Sequence, residues 1–275
     1  MKRLFLLTIG ALCMAITLAA QQTKELYLLH TSDTHSRIEP LDMHAADRDA
    51  GKGGVVRRAT FITQFREQHP ATLVLDCGDY SQGTPYYNFY HGELEARMIH
   101  LMHYDAIAIG NHEFDFGMEN LARLMQLAGC PTVCANYEVT GTPLEGLVKP
   151  YIIIERAGLR IGLFGLGAKL EGLVQADKCE GVIYKDPIAT AQDIADTLRE
   201  NERCDVVLCL SHLGVTNDET LAKSTQGIDA ILGGHSHTVM EEPAYYPNAE
   251  GKEVPVFHTG RNGAYVGVWK LTLED

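Results

Sequence analysis

The chain has 275 residues and a formal net charge of −13, from 23 Lys and Arg against 36 Asp and Glu. That balance excludes general binding to a nucleic-acid duplex, which calls for a basic surface, but not a small anionic substrate, because bound metal ions reverse a local potential. No low-complexity run, linker or internal repeat divides the sequence, so its length supports one large α/β domain with a substantial core.

In chain order, Lys2 and Arg3 come first, followed by an apolar stretch from Leu4 to about Ala19 and then small Ala19-Ala20 before polar Gln21-Gln22. This is the layout of a cleavable secretory signal. The expectation is that residues 1–20 are removed and that 21–275 form a single domain, exported to the periplasm or the extracellular space. The apolar stretch is short for a span, so no stable membrane anchor is expected. Without Lys2 and Arg3 the balance is 21 basic against 36 acidic residues.

Strands are predicted near residues 25–31, 71–76, 105–109, 131–135, 151–155, 159–166, 205–210, 228–232, 254–258 and 264–273. Between several of them lie amphipathic helices. Val56, Ala59, Phe61, Ile62 and Phe65 recur at helical spacing over 55–68, and similar patterns cover 93–103, 118–127, 188–198 and the shorter 218–223. Strand–helix alternation builds βαβ units and therefore a parallel sheet. The closing runs 254–258 and 264–273, joined through Arg261-Asn262-Gly263, read as an antiparallel hairpin. Residues 241–253, interrupted by Pro243, Pro247 and Gly251, read as a surface loop, and polar 42–52 as a mobile one.

Five of the apolar runs end in metal-ligand chemistry: Asp33-Thr34-His35, Gly78-Asp79, Gly110-Asn111-His112-Glu113, Ser211-His212 and Gly234-His235-Ser236-His237. In open α/β sheets ligands bind beyond the carboxyl ends of the strands. The residues alone therefore predict Asp, Asn and His gathered on the edge of one sheet, as in a metalloenzyme. Asp33 and His35, two apart at the end of an extended strand, are expected to point to one side, as are His235 and His237. Six cysteines follow the signal; Cys77, Cys134 and Cys209 lie in or beside apolar runs and read as buried thiols. The spacing of Cys130 and Cys134 lacks the second pair that a zinc site needs.

These motifs, in this order, resemble those of the calcineurin-like metallophosphoesterases. The longer strings LLHTSDTH, GNHEFDFG, LSHLG and GGHSHT resemble the catalytic domain of the 5′-nucleotidases, over about Leu26 to Leu273. The resemblance implies a four-layer α-β-β-α sandwich, two mixed β-sheets flanked by helices. It also implies two divalent metal ions, with zinc, manganese, iron, magnesium or calcium all open. One would take Asp33, His35, Asp79 and His237; the other would take Asp79, Asn111, His212 and His235, with Asp79 bridging. By the same resemblance, a metal-bridging hydroxide attacks a phosphate monoester in line. His112, oriented by Asp115, assists the leaving group, and Glu113 stands behind the ligands. Asn111 and His112 would contact the substrate. In the family, arginines of a second domain hold the phosphate; here Arg261, in the predicted hairpin turn, is the late arginine placed to replace that clamp.

Nucleoside 5′-phosphates are the substrate this implies. In the family a second, C-terminal domain recognises the nucleotide, so a separate protein supplying that domain is an expected partner. Two alternatives stay open: a cyclic-nucleotide or other phosphodiesterase (or sulfur-ester hydrolase) on the same metals, and a non-enzymatic binding or scaffold module. Phe114 and Phe116 read as packing. Tyr80, Tyr86, Tyr87, Phe89 and Tyr90 read as either pocket wall or local core, His30 as a residue behind the site, and His258 as one that could reach its edge.

Overall fold

The computed structural model describes residues 24–273. The expected signal, residues 1–20, lies outside the described residues. From the N-terminus come β1 (Lys24–Thr31), α1 (Val55–Gln68), β2 (Leu73–Asp76), α2 (Pro85–Tyr90), α3 (Glu93–Leu101), β3 (Ala106–Ala108) and α4 (Met118–Ala128). Short strands follow, β4 (Thr132–Val133), β5 (Tyr137–Glu138) and β6 (Val148–Lys149), then the hairpin β7 (Tyr151–Arg156) and β8 (Leu159–Leu166), and β9 (Ile183–Tyr184). The last part is α5 (Pro187–Asp196), β10 (Val206–Ser211), α6 (Val215–Ser224), β11 (Ala230–Gly233), β12 (Ala244–Pro247), β13 (Glu253–His258) and β14 (Gly267–Leu273).

Two six-stranded mixed sheets result, in the orders β14-β1-β2-β3-β4-β6 and β12-β13-β11-β10-β8-β7. Alternation along each strand decides the layers. Leu26, Leu28, Leu73 and Leu75 of the first sheet meet Leu163, Leu208, Leu210 and Leu232 of the second in a core between the sheets. The intervening Leu29, Val74 and Ile107 face Ile62, Ile99 and Leu124 on the helical side. Val207, Cys209 and Ile231 likewise face Ala191, Ala195 and Leu221 of α5 and α6. Strands buried on both faces read as unbroken apolar runs, which is why their sequence signal was strong. The four-layer expectation holds.

At one point the sheets touch through their backbones. Ala135 N–H donates to Gly165 O at 2.8 Å, and a Cβ on Gly165 would stand 2.1 Å from the Val133 oxygen. Only glycine fits there. This detour also ends β4 after Val133, short of the predicted 131–135.

Four expectations are corrected. The five motif-bearing strands do not share one sheet: β1, β2 and β3 belong to the first, β10 and β11 to the second. The closing hairpin does not form. β13 pairs in parallel with β11, while β14 runs antiparallel to β1 in the other sheet, so residues 259–266 cross between the sheets, and Trp269 meets Phe257 with ring centroids 5.5 Å apart. Residues 241–253 contain an edge strand, β12, where Pro247 is tolerated because an edge position needs no donated bond. Segment 42–52 is tied at its base rather than loose, since the Tyr265 hydroxyl donates to Asp49 at 2.6 Å and Lys52 Nζ also reaches Asp49, at 3.0 Å.

All six described cysteines are free thiols. No helix among the described residues is long and apolar enough to cross a membrane.

Candidate metal centre

The carboxyl ends of β1, β2, β3, β10 and β11 meet at one rim, three from one sheet and two from the other. The turns after β1 and β2 run side by side: Asp33, His35 and Ser36 donate their N–H groups to the carbonyls of Gly78, Asp79 and Tyr80 at 2.9, 3.0 and 2.8 Å. Extended strand geometry is not what aligns the ligands, contrary to expectation. Asp33, His35, Asp79, His235 and His237 all have left-handed backbones, with φ of 50°, 45°, 54°, 74° and 55°. Non-glycine residues seldom adopt that conformation, and clusters of such strain persist at functional sites where the surroundings over-determine them.

The side chains form two groups. Asp33, His35 and His237 bring ligand atoms within 4.8 Å of one another, and so do Asp79, His212 and His235. In the first, His35 Nε2 and His237 Nε2 face each other at 2.8 Å, with His237 Nε2 3.6 Å from Asp33 Oδ1. His35 donates Nδ1–H to Ser81 O at 3.3 Å, which turns Nε2 inward. In the second, His212 donates Nδ1–H to Cys77 O at 2.7 Å and presents Nε2 to Asp79 Oδ2 at 3.1 Å. Asp79 Oδ1 accepts the backbone N–H of His112 at 2.9 Å. The Asp33 carboxylate accepts the His235 N–H at 2.9 and 3.1 Å, so the first turn holds the last.

The buried Asn111 Oδ1 lacks a hydrogen-bond partner. An unsatisfied buried acceptor calls for an explanation, and a metal ion supplies one. The protonation pattern agrees. Burial foremost lowers the pKa of His35, of His235 and of His237, the last to about 4, so all three are neutral imidazoles able to coordinate. Burial lifts Asp33 to about 7, with like-charged Asp79 adding to the rise. Burial opposes ionisation of Asp79 and of His212, yet their attraction wins: the Asp79 carboxyl sits well below the usual range and His212 is raised to about 10. A proton between two buried groups marks where a cation fits. The donor set, imidazoles with carboxylates and an amide oxygen, suits two divalent ions.

Glu113 has a role that sequence left vague. Fully buried, it accepts three backbone N–H groups, from Gly110 at 2.7 Å, Asp79 at 3.0 Å and Ser81 at 3.1 Å. It therefore clamps the turn after β2 to the turn after β3. The approach is tight, because a Cβ on Gly110 would lie 2.1 Å from Asp79 Oδ1.

His112 stands beside the first group, its ring centroid 5.5 Å from that of His35, and donates Nδ1–H to Asp115 Oδ2 at 3.0 Å. That bond, foremost, raises its pKa. Arg261 is exposed, and its charge acts on His237 after burial and His35.

The other singled-out residues fall away from the groups. His258, expected near the edge, is buried and donates Nε2–H to Asp218 at 2.8 Å, and Asp218 also accepts from Ser211 beside His212. His30 is buried between the sheets and accepts Trp269 Nε1–H at 3.0 Å. Tyr80 and Tyr87 are buried, whereas Phe89 and Tyr90 are exposed. Phe114 is core, and Phe116 packs on His91 and Tyr87 while remaining 39% exposed. The Asp218–His258 pair had no sequence signal, because its members are 40 residues apart and neither adjoins a motif.

The calcineurin-like phosphoesterase family pattern matches residues 26–239. The chain is similar to the snake venom 5′-nucleotidase of Crotalus adamanteus, 32% identical over 290 residues, which cover 96% of this chain and 47% of that protein. A solved 5′-nucleotidase precursor of Thermus thermophilus has a TM-score of 0.84 at 33% identity, over 90% of this chain and 51% of that one. The NAD nucleotidase of Haemophilus influenzae has a TM-score of 0.81 at 26% identity, over 92% of this chain and 55% of that one. The chain thus spans about half the length of the curated relatives it matches.

Proposed function

The chain belongs to the calcineurin-like phosphoesterase family, and from that premise we propose that it is a metal-dependent hydrolase of phosphate monoesters, with nucleoside 5′-phosphates as its substrate class. The observation that carries this reading is the pair of ligand groups, Asp33, His35 and His237 and then Asp79, His212 and His235, on one rim with the unpartnered Asn111 Oδ1. Relatives named as 5′-nucleotidases support the substrate class.

Asp33, His35 and His237 would hold one divalent ion, and Asn111, His212 and His235 the other, with Asp79 reaching both. When bound, such ions supply Lewis acidity that activates water and offsets charge on phosphate oxygens. The remaining work belongs to the chain. Asp115 holds Nδ1–H and raises the pKa of the His112 ring, which favours the protonated form whose Nε2–H would pass to the ester oxygen as its bond to phosphorus breaks. Asp115 also keeps the ring in one tautomer and orientation. Exposed Arg261, whose charge acts on His237, adds a cationic edge for the non-bridging phosphate oxygens. Glu113 and the left-handed turns fix the ligands before substrate arrives, so little ordering is left to the reaction.

The test is phosphate release from a panel of nucleoside monophosphates, cyclic nucleotides and a chromogenic diester, before and after chelation and metal restoration. Monoesters should turn over fastest, and only with metal. A preference for diesters, or chelator-resistant activity, overturns the reading.

A further inference from the structure

Phe116 lies four residues beyond His112, separated from it by one short helical turn over 112–114. Tyr87 links the two, its hydroxyl bonded to His112 O and its ring centroid 5.0 Å from that of Phe116. Its environment is unusual for a surface phenylalanine. One face stacks on the His91 imidazole, with centroids 4.0 Å apart and planes 25° from parallel, and an edge leans on Tyr87 at 5.0 Å. Each support is itself pinned. The Tyr87 hydroxyl donates to His112 O at 3.2 Å, and Asn120 Nδ2 donates to His91 O at 2.9 Å. The ring is thus rigidly mounted on the backbone of the residue assigned to the leaving group, yet it remains 39% exposed and belongs to none of the core clusters. Phe114, two positions earlier, shows the contrast: it is fully buried and meets Tyr137 edge-on at 6.0 Å.

We propose that Phe116, backed by His91, is a stacking shelf for a planar leaving group, so that this chain itself recognises the base of a nucleoside 5′-phosphate. The inference rests on the monoesterase reading above and deepens it. The chemistry fits on three counts. The leaving group must lie on the His112 side, because that is where its oxygen takes up the proton. A nucleoside places its base one sugar ring away from that oxygen, and the Phe116 ring is set off from the His112 backbone by the single side chain of Tyr87. Every base offers a π face, so an aromatic shelf gives affinity for nucleotides over sugar phosphates without selecting one base strongly.

The test uses the full chain loaded with metal, with adenosine 5′-monophosphate and ribose 5-phosphate as probes. Losing one stacking partner of a base is expected to lower kcat/KM for the adenosine ester by about 5- to 150-fold in Phe116→Ala. Most of the loss should fall on KM, ribose 5-phosphate should be unchanged, and Phe116→Trp should restore the preference. An equal loss on both esters means that the substitution has merely disturbed the Asp115–His112 turn, and overturns the shelf. So does an unchanged ratio. Binding of the two probes, measured by calorimetry, separates this inference from the reading beneath it. If the wild type cleaves neither ester but binds the adenosine one more tightly, and Phe116→Ala abolishes that advantage, the hydrolase reading falls and the shelf stands. If the wild type shows no such preference in binding, the shelf falls whatever the turnover.

Discussion

Asp79 has one carboxylate oxygen 3.1 Å from His212 Nε2 and the other accepting the His112 N–H, and its charge also acts on His35 of the other ligand group. Asp79→Asn keeps the shape but removes the charge that faces both groups. The expected outcome is loss of activity together with metal content below two ions per chain by elemental analysis; a fully loaded, active variant contradicts the assignment. The His112 side chain bonds to Asp115 and not to the ligand residues. His112→Ala should therefore keep both metals and lose about 10²–10⁴-fold in kcat, the scale of general acid catalysis. The loss should be larger for alkyl than for nitrophenyl phosphates, since only a poor leaving group needs the proton. These residues were legible one by one, because each closes an apolar run with a ligand-bearing motif. Their left-handed backbones were not, since nothing in Asp33 or His235 as a residue type demands φ of 50° or 74°.

Elements deliver the ligands, and the bonds between elements keep them in place. Glu113 is the clearest case, holding N–H groups from the turns after β2 and β3. Glu113→Ala leaves three buried donors without an acceptor, each worth about 1–3 kcal/mol. A stability loss of at least about 2 kcal/mol in urea titration is expected, with weaker metal retention; an unchanged midpoint would show that the clamp is idle. Helix bounds were readable wherever apolar spacing was regular, as over Val55–Gln68. Two-residue strands such as β5, β6 and β9 were not, because two residues carry no periodicity. The false hairpin at 254–273 has the same root: a turn-like Arg261-Asn262-Gly263 between two strands says that the chain changes direction, not which sheet it joins.

Across the whole molecule, the interface between the sheets carries both stability and a titration. His30 on β1 is buried there against Trp269 and Phe257, and burial foremost drives its pKa from 6.5 to about 3. As pH falls below 6.5 the unfolded chain takes up a proton that the folded imidazole refuses until about pH 3. Stability is therefore present above pH 6.5 and is lost through that window. Between pH 7 and 5 this group should remove about 2 kcal/mol, by linkage. His30→Gln can still accept from Trp269 Nε1 but does not titrate, so its melting temperature should fall less over that interval; parallel curves for both proteins would refute this. Metal removal should act on the same global scale. Ions that bind only the folded chain, at a thousandfold above Kd, stabilise by about 4 kcal/mol, so chelation should lower Tm by roughly 10 °C in calorimetry. No shift on chelation would argue against resident metals.

The sequence by itself determined the strand ends that carry Asp, His and Asn, the helices between them and, through the order of those motifs, the family. Periodicity and short motifs are local, and one-dimensional information is enough to read them. Only the tertiary structure decided that three of those ends come from one sheet and two from the other, and that Glu113 binds two turns together. It alone turned Phe114 inward and Phe116 out. Those outcomes depend on which apolar faces pair across the molecule, and an apolar strand reads the same whichever partner it chooses.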